Sequence, residues 1–188
     1  MFTRTAKSAS SRIAQISNQL LPQQRTMATN FKLNTGAEIP AIGFGTWQDK
    51  EAQEEAVTEA LKAGYRHIDT ARIYGTEPGV GAAVKKSGLP RDQLYITTKL
   101  WNNSHHPDDV EKALDASLKD LGTDYVDLYL MHWPSPFARG DDMFPKSDGK
   151  VKPGDTDYVD VRSLPCARYH NSPLSVPSLR RTKPWKKP

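Results

Sequence analysis

Three observations predict an α/β fold with parallel strands for the middle of this 188-residue chain. Short strand-like apolar runs alternate with helix-like patterns, the connections between them are short, and glycine stands where each helix-like pattern stops. Parallel neighbours need a crossover connection, usually a helix, so the alternation implies a parallel sheet covered by helices.

The elements follow in order. Phe31 to Ile39 reads as two short strands around Asn34-Thr35-Gly36, a hairpin ahead of the repeating part. Ala41 to Trp47 is an apolar run through Gly43, Gly45 and Thr46, read as a strand. Asp49 is expected to cap a helix with Ala56, Val57, Ala60 and Leu61 on its apolar face, and Gly64 to end it. Tyr65 to Asp69 is the next strand, and Glu77 to Lys86 a helix stopping at Gly88. Gln93 to Leu100 is the third strand. Pro107 suits a first helical turn, and Asp108 and Asp109 complement the positive end of the helix dipole. That helix is expected to bury Val110, Ala113, Leu114, Ser117, Leu118 and Leu121 before Gly122 stops it. Tyr125 to Met131 is a fourth strand, and 134–156 reads as a long polar loop.

The formal charge of +4 is unevenly spread. Residues 1–30 and 162–188 carry basic residues and no acidic ones, so all 22 acidic residues lie in 31–161. The chain therefore divides into a disordered or targeting extension at 1–30, a folded domain at 31–161, and a basic, Pro- and Ser-rich tail at 162–188 expected to be disordered. The basicity belongs to the ends, and no recognised module frames it, so no nucleic-acid partner is expected. No run approaches 18 apolar residues, so no membrane span is expected. A single cysteine, Cys166, excludes an internal disulfide framework. The acid-free, Arg- and Ser-bearing first 26 residues suit a mitochondrial transit peptide. The expected localisation is nevertheless cytoplasmic, with Met27 as the true start; mitochondrial is the alternative, if residues 1–26 are a genuine transit peptide.

Each strand-like run ends near a chemically notable residue: Trp47, Asp69, Lys99 and His132, with Tyr74 five residues after Asp69. In a parallel barrel the carboxyl ends of all strands open at one mouth, so these residues would converge. Singly they have ordinary readings: His132 as a hydrogen-bonded structural residue, Tyr74 as packing, Asp69 as a turn former. Lys99 in a strand asks for a carboxylate, because burying an unpaired ammonium is costly, and Asp69 is the natural partner. Trp47, Trp101 and Trp133 sit just past strand ends and read as an aromatic wall around a pocket. No metal-ligand cluster is present. Gly43-Phe44-Gly45 and Gly79-Val80-Gly81 do not form the Gly-x-Gly-x-x-Gly fingerprint of dinucleotide-binding strand–helix turns.

Gly64-Tyr65-Arg66-His67-Ile68-Asp69-Thr70-Ala71, followed by Tyr74-Gly75, Glu77 and Val80-Gly81, resembles the first signature of the aldo-keto reductases. Thr97-Thr98-Lys99-Leu100-Trp101 and Leu130-Met131-His132-Trp133-Pro134 resemble the next two blocks, and Phe44-Gly45-Thr46-Trp47 the loop under the nicotinamide. The resemblance covers 31–161. It implies the first four β/α units of a (β/α)8 TIM barrel and NADPH-dependent reduction of a small aldehyde or ketone to an alcohol. By that resemblance Tyr74 is the proton donor, Lys99 favours release of its proton, Asp69 pairs with Lys99, and His132 orients the carbonyl. Trp47, Trp101, Trp133 and His132 would contact substrate, and Gly45, Thr46, Trp47 and Asp69 the NADPH/NADP+ cofactor. Thr76 stands where the family usually has asparagine, and little effect on Tyr74 is expected.

A complete barrel needs about 250 residues and eight strands. The family's Gly-Val-Ser-Asn-Phe-like strand and Ile-Pro-Lys-Ser phosphate-binding segment are not found in these 188 residues. The expectation is thus a truncated reductase, monomeric, with a tail from a shifted reading frame or unspliced intron. The alternative function is a catalytically silent fragment of a mispredicted or frameshifted gene.

Overall fold

The computed structural model describes residues 30–33, 35–157 and 161. The targeting reading of 1–26 and the readings of the tail beyond Val161 lie outside the described residues. The chain opens with an antiparallel hairpin of β1 (Asn30–Lys32) and β2 (Glu38–Pro40), with Phe31 opposite Ile39. Four parallel strands follow: β3 (Gly43–Gly45), β4 (His67–Asp69), β5 (Tyr95–Leu100) and β6 (Leu128–Met131). Among the described residues they form one sheet in the order β3-β4-β5-β6. Helices α1 (Gln53–Lys62), α2 (Glu77–Ser87) and α3 (Pro107–Leu121) make the three crossovers. This is an α/β fold, as the alternation predicts, and it takes the form of the partial barrel that the resemblance implies.

The register explains the grouping of side chains. Gly45 lies beside Asp69 and Asp69 beside Thr97, while Lys99 lies beside Leu130. Successive side chains on a strand point to opposite faces. One face of the sheet therefore gives Ile68, Ile96 and Leu100 to the helix-covered core. The helices answer with Val57 and Leu61 from α1, Val80 and Ala83 from α2, and Val110, Leu114, Leu118 and Leu121 from α3. Each such aliphatic side chain contributes roughly 1.5–3 kcal/mol when fully buried. Helices α2 and α3 end on Gly88 and Gly122, both left-handed, as their positions in the sequence suggest. At Gly81 a Cβ would stand 2.5 Å from the Leu121 carbonyl oxygen, so glycine lets α2 lie directly against the end of α3.

Several expectations are corrected. Asp49 does not cap α1: the helix begins four residues later, after Ala52, and Asp49 adopts a positive φ of 50° in the loop. Gln53 ties that loop down, its side-chain amide donating to the Gln48 carbonyl at 2.7 Å. The 134–156 stretch is also more ordered than a polar loop. It contains a hairpin of β7 (Lys146–Ser147) and β8 (Lys150–Val151). Asp148 and Gly149 between them have φ of 50° and 74°, the pattern of a type I′ turn, which Asp-Gly favours. The strands are shorter than the apolar runs, and a 3-10 turn at Arg91–Gln93 replaces the start expected for β5.

Candidate active site

Asp69 is the last residue of β4, Lys99 the second-last of β5, and His132 the first beyond β6. Their backbone positions follow from strand ends on one parallel sheet, which all open on the same side. The Lys99 ammonium donates to Asp69 at 2.5 Å and to the Thr70 carbonyl at 2.9 Å. Tyr74 closes a 3-10 turn, Arg72–Tyr74, that leaves the end of β4, and Gly75 ends the turn with φ 66°. The Tyr74 ring is half-buried between the Trp47 indole, 4.9 Å between ring centres, and the His132 imidazole at 5.4 Å. The Lys99 ammonium lies 5.2 Å from the centre of the Tyr74 ring. The structure therefore brings together Tyr74, Asp69, Lys99, His132 and Trp47.

The other aromatics extend this group outward. Trp101 packs edge-on against His132 at 5.2 Å and meets Trp133 at 5.3 Å. Trp133 is half-exposed, but Trp101 is only 3% exposed. Its indole N–H donates to the Met143 carbonyl, so it buttresses His132 and fastens the loop overhead. Gly45 is open: nothing lies within 4 Å of the place where a Cβ would stand. Thr46 beside it is turned inward and fully buried. Its hydroxyl shares a hydrogen bond with Thr76, which in turn meets Thr70 at 3.2 Å. Any contact from Thr46 to a ligand would come from its backbone.

Burial holds His132 below the ordinary histidine range, and the Lys99 ammonium acts in the same direction while Asp69 opposes it. The imidazole is thus neutral at pH 7 and offers one N–H donor and one acceptor. A phenol with an ammonium behind it and a neutral imidazole beside it can protonate, and hydrogen-bond, an oxygen held between them. Among the described residues no group of three or more His, Cys, Asp or Glu is placed to hold a metal ion. Nor, among them, is any helix long and apolar enough to cross a membrane. A cleft of about 460 Å³ lies to one side, between α3 and the 139–141 loop. Its cations are paired, Arg139 and Lys112 with Asp109 and Arg72 with Asp120, so it offers no free cation.

Several residues that build the site were given no role from the sequence, His67 and Glu77 entering only as letters of the signature. His67, two residues before Asp69 on the same face of β4, lies against Gly43, where a Cβ would stand 2.7 Å from its Nδ1. Its Nε2 is 3.0 Å from the Thr97 hydroxyl oxygen. Asn102 and Asn103 hold the overhead loop through bonds to the Ser135 and Gly140 carbonyls. Two adjacent amides directly after a strand end were the available signal. Glu77, 1% exposed, receives a 2.7 Å bond from the Thr98 hydroxyl.

A partial parallel barrel whose ionisable and aromatic residues gather at the carboxyl ends of its strands defines the architectural class. The chain belongs to the aldo/keto reductase family, whose profile matches residues 41–172. It is 55% identical over 136 residues to aldo-keto reductase family 1 member A1 of Xenopus tropicalis, covering 69% of this chain and 42% of that protein. It is 57% identical over 122 residues to a D/L-glyceraldehyde reductase of Hypocrea jecorina, covering 62% and 37% respectively. The fold is similar to the aldose reductase of Schistosoma japonicum with a TM-score of 0.68 and 40% identity, over 70% of this chain and 46% of that one. The chain thus spans about two-fifths of the length of these curated relatives, 42% and 37%.

Proposed function

We propose that this chain carries the carbonyl-reducing half of an NADPH-dependent aldo-keto reductase site, acting on a small aldehyde or ketone. The observation that supports it most is the seating of Tyr74 between Trp47 and His132, with the paired Lys99 behind its ring. The relatives named as glyceraldehyde and aldose reductases favour aldehydes as the substrate class.

The residues at the mouth fit the nicotinamide end of the cofactor. The open space over Gly45 and the 62%-exposed Trp47 indole offer a flat, uncovered seat for an aromatic ring. Asp69, whose side chain is 39% exposed, stands at its edge. Gly45, Trp47, Asp69 and the Thr46 backbone would hold that end. When bound, a reduced nicotinamide supplies a hydride equivalent for the carbonyl carbon. Tyr74 gives its phenolic proton to the carbonyl oxygen, which completes the alcohol. The Lys99 ammonium stabilises the phenolate left behind, and Asp69 keeps that ammonium in place. Neutral His132 donates a hydrogen bond to the same oxygen as its charge grows.

The test is NADPH oxidation at millimolar cofactor with glyceraldehyde. Tyr74→Phe removes the proton donor without disturbing the ring packing, and should lower the rate by about 100-fold or more. An undiminished rate in Tyr74→Phe would sink the assignment. A second reading, favoured by the unpaired outer edges of β3 and β6 among the described residues, is a catalytically silent chain. No turnover in the wild-type chain, with the fold intact, would favour it.

A further inference from the structure

The turn carrying Tyr74 is short, and its own backbone bonds fix only its local shape: Tyr74 N–H donates to the Ala71 carbonyl and Gly75 N–H to that of Arg72. Beyond the Lys99–Thr70 bond at its entrance, the turn is held against the sheet by contacts at residue 77. The Glu77 carboxylate is 1% exposed at the start of α2. One oxygen receives the Thr98 hydroxyl at 2.7 Å, and Thr98 is the neighbour of Lys99 on β5. The other lies 3.5 Å from the guanidinium of Arg72, two residues before Tyr74. Arg72 also pairs with Asp120 on α3.

We propose that Glu77 is a positioning residue for Tyr74: its buried carboxylate clamps the Arg72–Tyr74 turn to the strand that carries Lys99. The proposal rests on the proton-transfer reading above only in what the positioning is for. The geometry is specific, since one carboxylate spans the two segments whose spacing sets how the phenol meets the ammonium. Burial pushes the Glu77 carboxyl above the ordinary glutamate range, with the Thr98 hydroxyl, the Ser117 hydroxyl on α3 and the Arg72 guanidinium acting against that rise. A dipole-complementing acid at a helix start does not require burial, and burying a carboxylate is costly, so that role alone does not account for one kept out of water. The neighbouring Thr76 hydroxyl, bonded to Thr46 and Thr70, fixes the same junction toward β3 and β4.

The experiment is fluorine NMR on the full chain with its seven tyrosines replaced by 3-fluorotyrosine. The Tyr74 resonance is assigned by its loss in Tyr74→Phe. The decisive readout is the relaxation of that resonance by a soluble paramagnet, because a ring that leaves its seat becomes accessible while a mere change of nearby charge leaves access unchanged. Glu77→Gln keeps the shape and removes the charge; Arg72→Gln breaks the same contact from the other side. Each is expected to raise the paramagnetic relaxation of Tyr74 about twofold or more, and the double variant to add little, as for two halves of one interaction. Val110→Ala, a core change on α3, should lower the unfolding temperature and leave Tyr74 as it is. Unchanged relaxation in both single variants overturns the proposal, and so does an equal rise in Val110→Ala. Lys99→Met with unchanged turnover, alongside a Glu77→Gln effect on Tyr74, removes the proton-transfer reading and leaves the clamp standing.

Discussion

At the scale of single residues, three imidazoles are stored in places that disfavour their charge. Burial is the leading cause for His67, His105 and His132 alike, and each is held below the ordinary histidine range. His105 is the simplest: it is 1% exposed and neither ring nitrogen has a hydrogen-bond partner among the described residues. In the unfolded chain it takes up a proton near pH 6.5, and in the fold only at lower pH. As pH falls through 6.5 the unfolded state binds protons that the fold does not, so stability drops on the acid side. Urea unfolding between pH 7.5 and 5.5 should show that loss, with His105 contributing on the order of 1 kcal/mol per pH unit within its window. His105→Leu should flatten the curve, and an unaltered slope would refute this account. Glu77 works in the opposite sense, because its carboxyl is raised: the fold keeps a proton the unfolded chain has lost, and stability falls as pH climbs through the ordinary glutamate range. Tyr74, Asp69, Lys99 and His132 were legible because strand ends in a parallel sheet share one mouth. Glu77 was quoted only within the signature, and its role was not legible, because the pattern of a first helical turn is the same whether its glutamate faces water or the interior.

At the scale of elements, helix ends were read correctly where glycine must supply a left-handed residue, as at Gly88 and Gly122. The start of α1 was misread because Asp49 is a good cap by type, yet the chain spends Gln48 and Asp49 on a positive-φ bend. The β7–β8 hairpin hid in a polar stretch, although Asp148-Gly149 was the sign of its turn. Gly81 was quoted only as part of a signature; its reason is the contact of α2 with the last turn of α3. Gly81→Ala would drive a methyl into the Leu121 carbonyl. Helix propensity favours alanine, but a clash with backbone cannot be relieved by a rotamer change. The expected result is a loss of about 1–3 kcal/mol in denaturant unfolding. A gain in stability would show that the two helices can part freely.

At the scale of the molecule, the described residues supply the mouth of a partial barrel and, under the proposed function, the nicotinamide end of a cofactor seat. Much of a dinucleotide lies beyond the nicotinamide, and these elements offer little for it. A polypeptide of these 188 residues should therefore hold NADPH only weakly. Quenching of tryptophan emission by NADPH measures it, and saturation at sub-micromolar cofactor would contradict the expectation. The parallel arrangement was predictable from the alternation of elements, while the fastening of the overhead loop was not, since it runs through backbone carbonyls that no side-chain pattern marks. The sheet also keeps its strands in the order in which they occur along the chain. Synthesis proceeds in that same order. As β4, β5 and β6 leave the ribosome in turn, each finds the preceding strand already made, so these four strands can assemble by addition at one edge.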